Sequence, residues 1–146
     1  MNELRIGQLT KEMVAEELRL LGDPCAAAAG VVRKTVAAAL ANPGGEVSAL
    51  RLIEDAVQGA MTALLLADQS LARGGLLILD AVVDAAAEGH VDQTEGMRAA
   101  LRGIADLRRF TDPARLDDIR LEIGAKYMGA GEVFAEFLRA PKASNV

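Results

Sequence analysis

Residues 46–71 read EVSALRLIEDAVQGAMTALLLADQSL. Leu50, Ile53, Val57, Ala60, Leu64, Ala67 and Leu71 follow one another at alternating steps of three and four. Only a helix gathers that spacing onto one stripe, and a stripe apolar at every a and d position is a coiled-coil-like seam. Leu50, Ile53, Val57, Leu64 and Leu71 are therefore the expected interaction seam. After Arg73-Gly74-Gly75 the phase slips by one, and Ala72, Leu76, Leu79, Val83 and Ala86 carry it on. Two glycines at a slip predict either a kink or a tight helix–helix turn. The expectation is a long Gly-kinked or Gly-broken central helical region over 46–88.

Helix signals flank this region on both sides. Upstream, Thr10 is the expected N-cap of a helix over 11–21, with Leu9 stapled on Val14 and Gly22 as its stop. Asp23-Pro24 supplies a cap and a first helical residue for a helix over 24–41, which runs into the turn Asn42-Pro43-Gly44-Gly45. Downstream, Gly89 ends the central region. Asp92-Gln93-Thr94-Glu95 has capping-box form and opens a helix to Arg109, with Met97, Leu101, Ile104 and Leu107 or Arg108 on its face. Thr111-Asp112-Pro113 repeats the Asp-Pro entrance for a helix over 113–128. Gly129-Ala130-Gly131 breaks it, a short piece over 132–138 follows, and a polar tail over 141–146 is expected to be disordered.

Val, Ile and Thr never dominate a period-two window, so no strand is expected. The fold class is all-α: an antiparallel helical bundle of five to six helices in one domain over 1–140. D-A-V-x-x-A occurs at Asp55 and again at Asp80, but alanine-rich amphipathic sequence generates such matches by chance.

The totals agree with a bundle of thin helices. The 146 residues are 51% hydrophobic and only 3% aromatic, and 28 of them are alanine. Apolar content is thus high while apolar volume per position is low, which favours closely approaching helices. The net charge is −5. Nine acids against two arginines lie between Glu46 and Glu95, and an acidic middle without a basic stripe excludes a nucleic-acid partner. One cysteine forms no intrachain disulfide, and no basic, apolar leader opens the chain. Apolar runs are far shorter than the roughly 18 residues of a membrane span. A cytoplasmic protein with no membrane span is expected.

The stretch LDAVVDAAAEGHVD, residues 79–92, looks most like chemistry. Asp80, Asp84 and Glu88 recur at every fourth position on one helical stripe, opposite Leu79, Val82, Val83 and Ala86, and the only histidine, His90, follows. Aligned carboxylates can take a hard cation, or zinc or iron if a nitrogen joins, so these four residues are the candidate metal ligands. The plainer reading is a solvated face. A ferritin-type di-iron centre is excluded, because it needs two Glu-x-x-His pairs and Glu88 and His90 are only two apart. His90 is placed in the loop after Gly89, helping to end the helix.

Cys25 is expected at the second position of its helix, where exposed N–H groups favour a thiolate, although a packed, inert thiol is the plainer reading. A Cys25/His90 nucleophilic pair lacks an orienting group. Ser48, Ser70 and Ser144 lack a nucleophile-elbow context. Gly129-Ala130-Gly131 starts like a dinucleotide fingerprint, but Phe134 stands where the third glycine belongs, and no P-loop is present. No catalytic residue and no cofactor are assigned.

Phe110, Tyr127, Phe134 and Phe137 all fall in the final third. Val133, Phe134, Phe137 and Leu138 make an apolar face behind a glycine hinge, a docking segment for another chain or, more plainly, the closure of its own bundle. The functional expectation is a non-enzymatic helical protein acting through helix–helix association, as a homo-oligomer (a dimer first) or with a protein partner. The alternative is a metal- or small-ligand-binding bundle built on Asp80, Asp84, Glu88 and His90. Binding to a lipid or granule surface is disfavoured because the polar faces are acidic.

Overall fold

The computed structural model describes residues 10–13, 15, 22–41 and 46–140. They are helical, with no strand among them. The elements are α1 (Pro24–Leu40), α2 (Glu46–Leu66), α3 (Leu71–Glu88), α4 (Gln93–Ala105), a 3-10 turn over Asp106–Arg109, α5 (Pro113–Lys126) and α6 (Ala130–Arg139). Residues 10–13 are also helical, and Thr10 is fully buried. The expected Leu9–Val14 staple, the helix end near residue 21, the 42–45 turn and the 141–146 tail lie outside the described residues.

The bundle is centred on α3, which packs along α1 and touches α2, α4 and α5; α4 lies against α2, and α6 closes over α4 and α5. Both Asp-Pro entrances form as their chemistry requires. Asp23 accepts the Ala26 N–H at 3.3 Å and Asp112 accepts the Arg115 N–H at 3.0 Å, each followed by a proline at the first helical position. The carboxylate satisfies an N–H that the helix leaves orphaned, and proline gives up an N–H that had no partner. Asp92 opens α4 likewise, accepting from Thr94 at 2.8 Å and Glu95 at 3.1 Å.

The central region does break, but at residues 67–70 and not at the glycines. The Gln69 N–H donates to the Leu64 carbonyl at 2.9 Å and the Asp68 N–H to that of Leu65 at 3.1 Å, with Asp68 in the left-handed region at φ 58°. That bond pair is the Schellman ending of a helix. Ser70 then caps α3 by accepting the Arg73 N–H at 3.2 Å. Gly74 and Gly75 are the fourth and fifth residues of an unbroken α3, both buried. A Cβ on Gly74 would come within 2.4 Å of the Leu64 side chain. The phase slip records a new helix starting, and Gly74 allows α3 to lie against the end of α2.

The seam is consumed within the chain. Ile53, Val57, Ala60 and Leu64 are wholly buried, Leu71 is buried, and Leu50 packs half-buried on the same core. Ala67 falls in the turn and leaves the stripe. Ala56 and Met61 are also wholly buried, so the inward face of α2 is wider than two positions per heptad. Of the expected continuation, Leu79 and Ala86 are buried on α3 while Ala72, Leu76 and Val83 are half-buried; Ile78, Val82 and Ala85 complete the inward face.

Downstream, the helix expected to reach Arg109 tightens into a 3-10 turn after Ala105. The next helix ends at Lys126, because Tyr127 is extended and Gly129 turns left-handed at φ 83° before α6.

Where α2 meets α4, Glu54 is partly covered and its carboxyl is held above the ordinary 4.5, because burial disfavours its charge more than Arg102, 3.9 Å away, favours it. A raised carboxyl makes the fold bind its proton more tightly than the unfolded chain does. Its contribution is therefore present in full below 4.5 and is lost as pH rises through the folded-state value. Glu54→Gln is expected to melt higher than the native chain near neutral pH, with the two curves converging as pH falls below 4.5. A variant that melts lower at neutral pH would mean that the pairing with Arg102 outweighs the burial cost.

Candidate functional site

The acidic stripe of α3 faces cations on the neighbouring helices. Asp80 is held by Lys126, Nζ to Oδ2 at 2.5 Å, and accepts a short hydrogen bond from the Tyr127 hydroxyl. Arg33 of α1 spans the other two, with Nη2 2.5 Å from Glu88 and Nη1 3.7 Å from Asp84. Like charges at every fourth position repel along a helix, and these partners offset that repulsion while lacing α3 to α1 and α5. Each pair is solvent-exposed and worth about 0–1 kcal/mol, so they fix register more than they stabilise. Burial, then the bond to Asp80 and its charge, hold the Tyr127 phenol well above its usual value. It stays a protonated donor and does not serve as a base.

His90 does not join the three carboxylates. It is exposed and occupies the left-handed position just after α3, at φ 61°. The Val91 N–H closes back on the Ala86 carbonyl at 2.9 Å and the His90 N–H on that of Ala87 at 3.4 Å. His90 thus occupies the place that glycine usually fills, while Gly89, at φ −90°, is needed for space: a Cβ there would strike Leu40 at 2.6 Å. Among the described residues no group of three or more His, Cys, Asp or Glu side chains converges on a point that could hold a metal. A left-handed residue with a Cβ costs roughly 1–2 kcal/mol, part of which glycine returns to the unfolded chain as entropy. His90→Gly is therefore expected to stabilise the fold by about 0.5–1 kcal/mol in a urea titration. A loss of stability would mean that the imidazole makes a contact worth more than the strain.

Cys25 is buried at the second position of α1, its thiol donating to the Ser70 carbonyl at 3.4 Å and lying 3.6 Å from where a Gly74 Cβ would stand. That places it at the start of α3, whereas His90 follows its end, and the helix between them is roughly 27 Å long at 1.5 Å per residue. The two never meet. At the same end of α3, Arg73 makes a two-pronged pair with Asp23 at 2.6 and 2.7 Å, which holds the Asp23 carboxyl below its ordinary range.

The expected docking segment lies on its own chain. Phe134 is wholly buried, and Val133, Phe137 and Leu138 pack on the same core. Arg102 and Arg98 lie over the Phe137 ring, 4.7 and 5.7 Å from its centre. Arg108 closes the end of α6 by donating to the Phe137 carbonyl at 2.9 Å and the Ala140 carbonyl at 3.4 Å. These arginines were not foreseen as partners of the aromatic face.

A hollow of about 490 Å³ lies between the end of α3, the start of α4 and the α5–α6 turn. Val83, Met97, Leu101, Ala130 and Val133 make it apolar, and Gln93, Thr94 and Arg98 stand exposed along its edge. Met128, in the turn beside it, is 101% exposed. The glycine pair of that turn was visible as a signal in the sequence. Searches with family models, against curated proteins and against solved structures return no match for this chain.

Proposed function

We propose that this chain is a non-enzymatic helical protein that acts by helix–helix association, with a second copy of itself as the first partner. The supporting observation is where large apolar side chains stand in water. Among the described residues Leu66, Phe110, Leu121 and Met128 are 69%, 59%, 55% and 101% exposed; the last three lie within or beside α5, and Met128 borders the apolar hollow. Association can remove such surface from water at roughly 25 cal/mol per Å². The expected seam from Leu50 to Leu71 is spent on the chain's own core, so the contact belongs to this outer surface.

The alternative, a metal or small ligand held by Asp80, Asp84, Glu88 and His90, has less support, since Lys126, Tyr127 and Arg33 already engage the three carboxylates. No helix among the described residues is long and apolar enough to cross a membrane. Sedimentation equilibrium over a wide concentration range tests the proposal. The expected result is a species of twice the chain mass, and a single-chain mass at every concentration would overturn it. Leu64→Lys does not serve as the probe, because burying a charge in this core unfolds monomer and dimer alike.

A further inference from the structure

We infer that the hollow between α3, α4 and the α5–α6 turn is a binding site for a small amphipathic carboxylate, with the alkyl chain on its apolar wall and the acid group on Arg98. The inference does not rest on the association proposed above. The occupant is read from the polarity of the wall. Val83, Met97, Leu101, Ala130 and Val133 offer hydrocarbon and thioether, and about 490 Å³ lies within the range of small-ligand sites. Of the side chains that line the hollow, Arg98 alone carries a charge. A hollow with one fixed cation and no anion complements a ligand with one acid group and an apolar body.

Arg98 also lacks the counter-charge that its neighbour has. Arg98 and Arg102 stand four apart on α4, a spacing at which like charges repel. Glu54 answers Arg102 at 3.9 Å, whereas Arg98 has no carboxylate partner among the described residues. Its guanidinium lies 5.7 Å from the centre of the Phe137 ring, a contact that steadies the group and leaves its N–H donors free. Such a group takes a carboxylate through two parallel N–H bonds. The other polar groups at the edge direct a ligand less. Gln93 gives its amide to the Val83 carbonyl at 3.3 Å and Tyr127 its hydroxyl to Asp80, which leaves the Thr94 hydroxyl as a second donor. Asp80 does not line the hollow and is itself held by Lys126. A cationic ligand therefore meets no opposite charge on this wall, and an acid does.

Calorimetric titration of the full chain with decanoate, below the concentration at which it forms micelles, tests this against decanol, decyltrimethylammonium and acetate. Decanoate is expected to bind saturably at one site per chain, decanol about tenfold more weakly, and the other two not at all. Arg98→Gln, at an exposed position, should fold as the native chain does and bring decanoate down to the affinity of decanol. Met97→Gln, in the wall, should weaken decanoate and decanol alike, while Arg115→Gln, outside the hollow, should change neither. Circular dichroism and melting of the free variants check that each is folded. No saturable heat with decanoate overturns the site. Decanol binding as tightly as decanoate, or Arg98→Gln leaving decanoate unchanged, overturns the seat of the acid group. Equal losses for Arg98→Gln and Arg115→Gln overturn it too, since they assign the effect to overall charge.

Discussion

Phe134→Ala is expected to lower the unfolding free energy by about 3–5 kcal/mol, the range for emptying a buried aromatic site. Phe134 is the one wholly buried aromatic among the described residues, in a core otherwise made of Ala, Val, Ile, Leu, Met and Cys25. The cost should sit high in that range because the site has little means of collapsing. Next to it, α6 is already pressed backbone to backbone on α5, where a Cβ on Gly131 would lie 3.1 Å from the Gly124 Cα and 3.2 Å from the Arg120 carbonyl. Helices in such contact have no room to slide into the void. Phe137 is the internal comparison: half-buried and covered by Arg102 and Arg98, it should cost clearly less on truncation. Urea unfolding measures both. A loss below about 1.5 kcal/mol for Phe134→Ala would mean that α6 stands outside the cooperative unit.

Local rules made much of the fold legible. Asp23-Pro24, Asp112-Pro113 and Asp92 open their helices by short-range bonds to N–H groups two or three residues on, and such bonds depend on little outside the local sequence. The α2–α3 turn was hidden for the opposite reason. Asp68 and Ser70 carry it without Gly or Pro, and the apolar spacing runs straight across it because Leu71 starts a new inward face in nearly the old phase. The polar run Asp68-Gln69-Ser70 inside an apolar seam was the available signal. Of the two residues that looked like breakers, Gly74 answers a packing demand from Leu64, which periodicity does not record, while a Cβ on Gly75 would meet its neighbours at ordinary contact distance.

The candidate site was legible only as one side of each contact. Periodicity places Asp80, Asp84 and Glu88 on one stripe, but whether that stripe meets water, metal or cations depends on Arg33, Lys126 and Tyr127, 46 to 55 residues away in sequence. The hollow is harder still, since three separate segments wall it and none is unusual alone. What could be read was the concentration of aromatics in the last third and the glycine pair that turns the chain there.

Gly103→Ala is expected to destabilise the fold by about 2–3 kcal/mol, the upper part of the usual cost of overpacking. On helix propensity alone the sign would be the reverse, since alanine is favoured over glycine by about 1 kcal/mol in a helix interior. Gly30, inside α1, shows that rule unopposed: a Cβ there meets nothing within 4 Å, and Gly30→Ala should stabilise. At Gly103 the Cβ would lie 2.6 Å from the Glu54 carbonyl oxygen and 3.2 Å from two atoms of Val57. A carbonyl in the ladder of α2 cannot rotate aside as a side chain does, so α4 as a whole must move away from α2. That opens contacts around Ile53, Val57, Leu101 and Ile104, each buried to 1% exposure or less. In a core this poor in large side chains, stability rests on how closely helices approach, and one methyl group between α2 and α4 acts on all of those contacts together. Parallel thermal and urea unfolding of the two alanine variants decides it: equal signs would show that backbone approach is not what this bundle depends on.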